Sequence, residues 1–140
     1  MKKVYKYLLL IISLLLAGCN DSSYYFNYDE MIDKVVKIEV YETYGCDYRD
    51  NSSEYKKYLL TLGEDLIDDF LLDLSKIEFR KPCMICNLSF PEGISFFVSC
   101  NNSEYFIINN NATTIGTIPD YYISEEDINY LLDKYYYQFV

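Results

Sequence analysis

Five cysteines, Cys19, Cys46, Cys83, Cys86 and Cys100, are the residues of this 140-residue chain best suited to chemistry. Cys83 and Cys86 stand in a C-x-x-C spacing, at which two thiols can close an exchangeable disulfide or supply half of a tetrathiolate metal site. Redox catalysis wants a helix N-terminus behind the pair to lower a thiol pKa. The residues that follow, Asn87-Leu88-Ser89-Phe90-Pro91, make a poor helix start, and neither Trp nor Gly-Pro accompanies the thiols. A metal site wants a second ligand pair, whereas Cys46 and Cys100 are isolated from one another in a chain without His. No metal and no cofactor is expected. Structural disulfides among Cys46, Cys83, Cys86 and Cys100 fit better, each worth about 2–4 kcal/mol to a domain of this size. Four cysteines allow three pairings, and the connectivity stays open.

Other reactive constellations are missing. Without His, no Ser or Cys nucleophile has its usual base, and there is no Gly-rich phosphate loop or nucleophile elbow. The chain holds 22 acidic residues, so any two carboxylates can be paired on paper and no pair carries meaning by itself. Glu64, Asp65, Asp68, Asp69 and Asp73 read as the solvated face of a helix rather than a cation site. Asp47-x-Arg49-x-Asn51 lacks the central Gly and terminal Glu of an EF-hand loop. No catalytic residue is nominated, and the chain is expected not to be an enzyme.

The first cysteine has a different setting. Lys2, Lys3 and Lys6 precede a nearly unbroken apolar run from Leu8 to Leu16, which is too short to span a bilayer comfortably and describes a secretory signal peptide. It ends in Leu16-Ala17-Gly18-Cys19, which resembles the lipobox of bacterial lipoproteins. That resemblance covers residues 1–19 and implies cleavage between Gly18 and Cys19. It also implies a lipid on the Cys19 sulfur, with two or three acyl (palmitate-type) chains in all, enough for stable anchoring. The domains expected are a signal peptide over 1–18, a lipidated tether over 19–28 and a single α+β domain over 29–140. Nine extended tether residues reach at most about 30 Å, so the domain stays close to its membrane. Removal of Cys19 from the count leaves an even number of cysteines in an oxidising compartment.

The elements that must position these residues follow from periodicity. Val36, Ile38 and Val40 alternate with Lys37 and Glu39, predicting a half-buried strand, and Tyr58, Leu60 and Leu62 resume the alternation as its hairpin partner. Thr61-x-x-Glu64 reads as a capping box before an amphipathic helix over 64–76. A strand is expected to begin within 77–81. Ile94, Phe96, Val98 and Cys100 share one face of another, Asn101-Asn102-Ser103 turns into a strand over 105–108, and 114–118 offers one more. Ser124-x-x-Asp127 caps a C-terminal helix carrying Ile128, Leu131, Leu132 and Tyr135. The predicted order is β-β-α-β-β-β-β-α, an antiparallel sheet of about five or six strands covered on one face by two helices.

Charge narrows the partners. The net charge is −10 before the basic signal segment is removed, which disfavours nucleic acid and predicts repulsion from an anionic lipid surface. The folded part is thus expected to stand off the bilayer, touching it only through the anchor. The chain reads as an extracytoplasmic cell-envelope lipoprotein acting as a non-enzymatic binding or interaction module of unknown ligand. One alternative is an inhibitor or immunity-type lipoprotein that captures a cationic enzyme or toxin. Another is an envelope thiol-disulfide protein using Cys83 and Cys86. A short anchor followed by a small acidic α+β domain resembles small uncharacterised bacterial lipoproteins, and residues 20–140 carry no family motif.

Overall fold

The structure, a computed structural model, describes residues 22–44, 56–81, 92–109, 113–115 and 118–140. Its strands are β1 (Ser22–Tyr24), β2 (Val35–Thr43), β3 (Lys56–Thr61), β4 (Phe79–Lys81), β5 (Gly93–Cys100), β6 (Tyr105–Asn109), β7 (Thr113–Ile115) and β8 (Ile118–Tyr121). Helix α1 (Tyr28–Ile32) precedes β2, α2 (Glu64–Leu74) follows β3, and α3 (Glu125–Tyr135) follows β8. The class is α+β, as the hydrophobic periodicity predicts. The predicted order is not observed: β1 and α1 come first, and the single strand expected over 114–118 is the antiparallel pair β7 and β8.

Six strands form one sheet in the order β3-β2-β5-β6-β7-β8, with every pairing antiparallel. Strand β4 leaves that sheet to pair with β1, where Ser22, Ser23 and Tyr24 face Lys81, Arg80 and Phe79. A bridge between Arg80 and Tyr122, with N–H···O bonds of 2.9 and 2.7 Å, joins this ribbon to the end of β8.

Register places the core. Ile38, Val98 and Phe106 align across β2, β5 and β6, and Val40, Phe96 and Ile108 form the next row on the same face. All six are buried, and Phe70, Leu71 and Leu74 of α2 pack with them together with Ile128, Leu131, Leu132 and Tyr135 of α3. The Phe70 ring lies 5.0 Å from Phe96 and 5.1 Å from Tyr135, joining both helices to the sheet.

Three local expectations need correction. Val35, not Val36, pairs with Cys100, and the register shifts before Lys37, so Val36 is the extra residue of a β-bulge and is 56% exposed. A second shift opposite Val40 and Tyr41 turns Tyr58 to the face away from Leu60. Thr61 does not cap α2; it ends β3, with its hydroxyl 3.0 Å from that of Tyr58, and Gly63 is the N-cap without a side-chain bond. Ser124 caps α3 as predicted, its hydroxyl accepting from the Asp127 N–H at 3.1 Å.

The sheet face away from the helices is less polar than its alternation suggests. Phe97 and Ile107 are buried there, as is a hydrogen-bonded trio of Thr43, Ser95 and Asn109. Asn109 donates to the Ser95 hydroxyl at 2.7 Å, and the Ser95 and Thr43 hydroxyls lie 3.0 Å apart. Each thereby has a partner for a group that is costly to bury alone.

Candidate functional site

The segment expected to be a tether builds one wall of a cleft. Asn27 caps α1, its side-chain oxygen accepting from the Asp29 N–H at 3.1 Å, and Asp29 and Glu30 in the first turn suit the helix polarity. Phe26, just before the cap, is buried with its ring stacked 4.8 Å from Phe106 and edge-on to Phe79 at 5.2 Å. Residues 22–28 are therefore part of the domain, contrary to the boundary at residue 29, because an aromatic side chain in this segment has core surface to cover.

The opposite wall is the β5–β6 turn. Cys100 donates its N–H to the Glu104 carbonyl at 2.8 Å, the Asn102 side chain accepts from the Glu104 N–H at 3.2 Å, and Ser103 sits at φ 66° in the left-handed region. Asn101 ties this turn to the end of α1: its N–H reaches the Lys34 carbonyl at 2.8 Å and its side-chain amide the Asp33 carbonyl at 3.1 Å. Both walls are thus fixed to one another through a single side chain and its backbone.

Between them lies a cleft of about 460 Å³. Phe26, Phe106, Met31, Tyr24 and Cys100 supply its apolar lining, and Glu30, Glu104, Lys34, Ser103 and Tyr105 supply its polar rim. An apolar floor with a few polar groups at the edge is the ordinary make-up of a small-ligand or side-chain binding site. Two carboxylates against one ammonium give the rim a negative balance, which favours a ligand with an apolar body and a positive end.

Cys100 is the one cysteine among the described residues, and it is a free thiol packed half-buried against the core. Burial, with help from the nearby Glu104 carboxylate and against a smaller opposing effect of Lys34, pushes this thiol up from its ordinary pKa. It is protonated near neutral pH and poorly suited to nucleophilic attack. Cys19, Cys46, Cys83 and Cys86, and with them Gly18, the lipobox, the signal segment and the C-x-x-C, lie outside the described residues. Among the described residues no helix is long and apolar enough to cross a membrane, and no three His, Cys, Asp or Glu side chains converge as a metal site.

No family model, curated protein or solved structure matches the chain. The cleft has to be understood from its own geometry.

One acidic residue departs from the solvated-face reading. Glu64, Asp65, Asp68 and Asp69 are exposed, but Asp73 is only 8% exposed. One of its oxygens accepts from Lys134 at 2.6 Å, from the Tyr135 hydroxyl at 2.6 Å and from the Tyr130 hydroxyl at 3.1 Å, while Lys76 lies 3.5 Å from the other. Burial works against the charge, yet the bonds from Lys134, Tyr135 and Tyr130 outweigh it and hold the Asp73 carboxyl below the usual carboxylate range. The same contact raises Lys134, and burial with Asp73 raises the Tyr135 hydroxyl. All three donors to this oxygen come from α3, so the cluster acts as a clasp between α2 and α3. Sequence could have flagged it: Phe70, Asp73, Leu74 and Ile77 fall at i, i+3, i+4 and i+7, placing an acid on an apolar stripe.

Proposed function

We propose that this chain is a lipid-anchored lipoprotein of the cell envelope, held on the extracytoplasmic side through Cys19, and that its domain is a non-enzymatic binding module whose ligand enters the cleft between α1 and the β5–β6 turn. The observation that carries the binding role is the composition of that cleft, an aromatic floor under a charged rim. The described residues at its edge include a single thiol, whose raised pKa keeps it protonated, and the chain has no His to act as a base. The lipobox-like Leu16-Ala17-Gly18-Cys19 carries the anchoring role.

A second reading narrows the ligand to a cationic enzyme or toxin, captured as an inhibitor or immunity-type lipoprotein would capture it. The excess of Glu30 and Glu104 over Lys34 at the rim, on a chain of net charge −10, favours it by steering a positive partner toward the cleft.

The test places a photo-crosslinking phenylalanine analogue at Tyr105 on the cleft rim or at the remote Tyr58, in cells expressing the full chain. Intact-mass spectrometry of the extracted protein should show acylated Cys19, and position 105 should give defined adducts that position 58 does not. An unmodified Cys19 would remove the anchored reading. Identical adduct patterns at the two positions would remove the cleft as binding site. Adducts to a basic protein that fade as salt is raised would select the second reading.

A further inference from the structure

We infer that the ribbon of β1 and β4, with the adjoining end of β8, is a membrane-contacting surface that lies in the lipid headgroup layer of the bilayer holding the anchor. The inference rests on lipidation of Cys19 as proposed above, and adds where the domain sits and by which face.

The length of chain decides it. If residues 20–28 were a free tether, the domain could stand tens of ångströms from the lipid. Because Ser22 already pairs with Lys81, only Asn20 and Asp21 separate Cys19 from the folded domain. Three residue steps span at most about 10 Å fully extended. The headgroup region adds roughly 5–8 Å on each side of the hydrocarbon core. A sulfur acylated at the level of the lipid glycerol therefore holds the start of β1 within the headgroups or at most a few ångströms above them, whatever the net charge of the rest of the domain.

The residues at that place suit it. Tyr25, next to β1, is 53% exposed, and Tyr122, bridged to Arg80, is 38% exposed. Tyr side chains are enriched at membrane interfaces because an apolar ring and a polar hydroxyl can each meet a matching environment. Arg80 stands exposed opposite Ser23 with its guanidinium 3.2 Å from Glu78, and Asp127 lies on the same surface beside Tyr122, so it is the short reach from Cys19, not charge, that holds this face to the lipid. At the far edge of the large sheet is β3, five strand spacings from β8, or about 24 Å.

The chain contains no Trp, so a single introduced indole reports one place. Full-length protein, acylated in cells and reconstituted into phosphatidylcholine–phosphatidylglycerol vesicles carrying a headgroup nitroxide, is compared for Tyr25→Trp, Tyr122→Trp and Tyr58→Trp. Intact mass is read on the same samples. With Cys19 acylated, the first two should lose at least half of their emission to the nitroxide, with a blue shift, while Tyr58→Trp on β3 changes little. Acylated, vesicle-bound protein in which positions 25 and 122 are quenched no more than 58 overturns the membrane-contacting surface and leaves the anchor standing. Absence of acyl mass overturns both.

Discussion

At the scale of single residues, Asp73 and Cys100 show how environment sets chemistry. Asp73 is a charge held between two helices by three donors on one oxygen, so its neutralisation weakens the bonds from Lys134 and from both tyrosine hydroxyls. Asp73→Asn is expected to cost about 2 kcal/mol at pH 7, as for other hydrogen bonds to buried charged groups. The sign with pH follows from the lowered pKa. The contribution is fully present above the unfolded carboxylate value of about 3.9, and it is lost as pH falls through the lower folded value. Urea midpoints of the two proteins should therefore converge progressively below pH 4; a gap that persists unchanged to pH 2.5 would assign the cost to packing instead of charge. Cys100 makes the complementary case. Its thiol is free and half-buried, with a raised pKa. Unreduced peptide mapping after iodoacetamide treatment should find it unmodified in the native protein at pH 7.5 and fully alkylated once the chain is unfolded. Recovery of Cys100 in a disulfide would contradict the free thiol, and rapid native alkylation would contradict its protonation.

At the scale of elements, the periodic signals carried well and the irregular ones did not. Even-numbered Ile38 and Val40, Phe96 and Val98 alternate cleanly, and the register puts all four on the helix-covered face. Ser124 announces α3 because an N-cap hydroxyl is a local device, complete within four residues. A bulge has no such signature: nothing in Val35-Val36-Lys37 reveals that Val36 is the extra residue, since the shift is imposed by the partner strand. Helix α1 is five residues long, too short for periodicity, and only Asn27 ahead of Asp29 and Glu30 hints at it. The cleft was hidden for the same reason, since one of its walls is that helix. Its other wall is open to test at Ser103, which adopts φ 66° in the β5–β6 turn. A left-handed conformation costs a residue with a Cβ roughly 1–2 kcal/mol, part of which glycine returns to the unfolded state as entropy. Ser103→Gly is accordingly expected to raise stability by about 0.5–1 kcal/mol, measured as a higher urea midpoint with unchanged m. A lower midpoint would show that the Ser103 side chain contributes more than its backbone conformation costs.

At the scale of the whole molecule, the decisive feature is that the described fold already begins at Ser22, three residues after the proposed anchor residue Cys19. Composition and charge describe an acidic chain with enough apolar residues for a core, but they say nothing about which aromatic residues near residue 25 are exposed and which are core. Tyr24 and Phe26 differ from Tyr25 in this respect because β1 pairs with β4 and turns alternate side chains inward: Tyr24 stacks near Tyr121 at 5.3 Å and Phe26 against Phe106, while Tyr25 faces out. A chain starting at Ser22 should consequently unfold cooperatively at the same temperature as a chain starting at Cys19. A chain starting at Asn27 loses β1 and the Phe26 ring together. Loss of a buried Phe side chain alone costs about 3–5 kcal/mol. In a domain of this size that corresponds to a fall in Tm on the order of 10–20 °C. Phe26→Ala in the longer chain should reproduce most of the fall, because the buried ring packs against both Phe79 and Phe106. Equal melting temperatures for the two truncations would mean that residues 22–26 are dispensable to the fold. The stretch after Cys19 would then be a longer tether for the proposed anchor, and the reason for placing the ribbon in the headgroup layer would be gone.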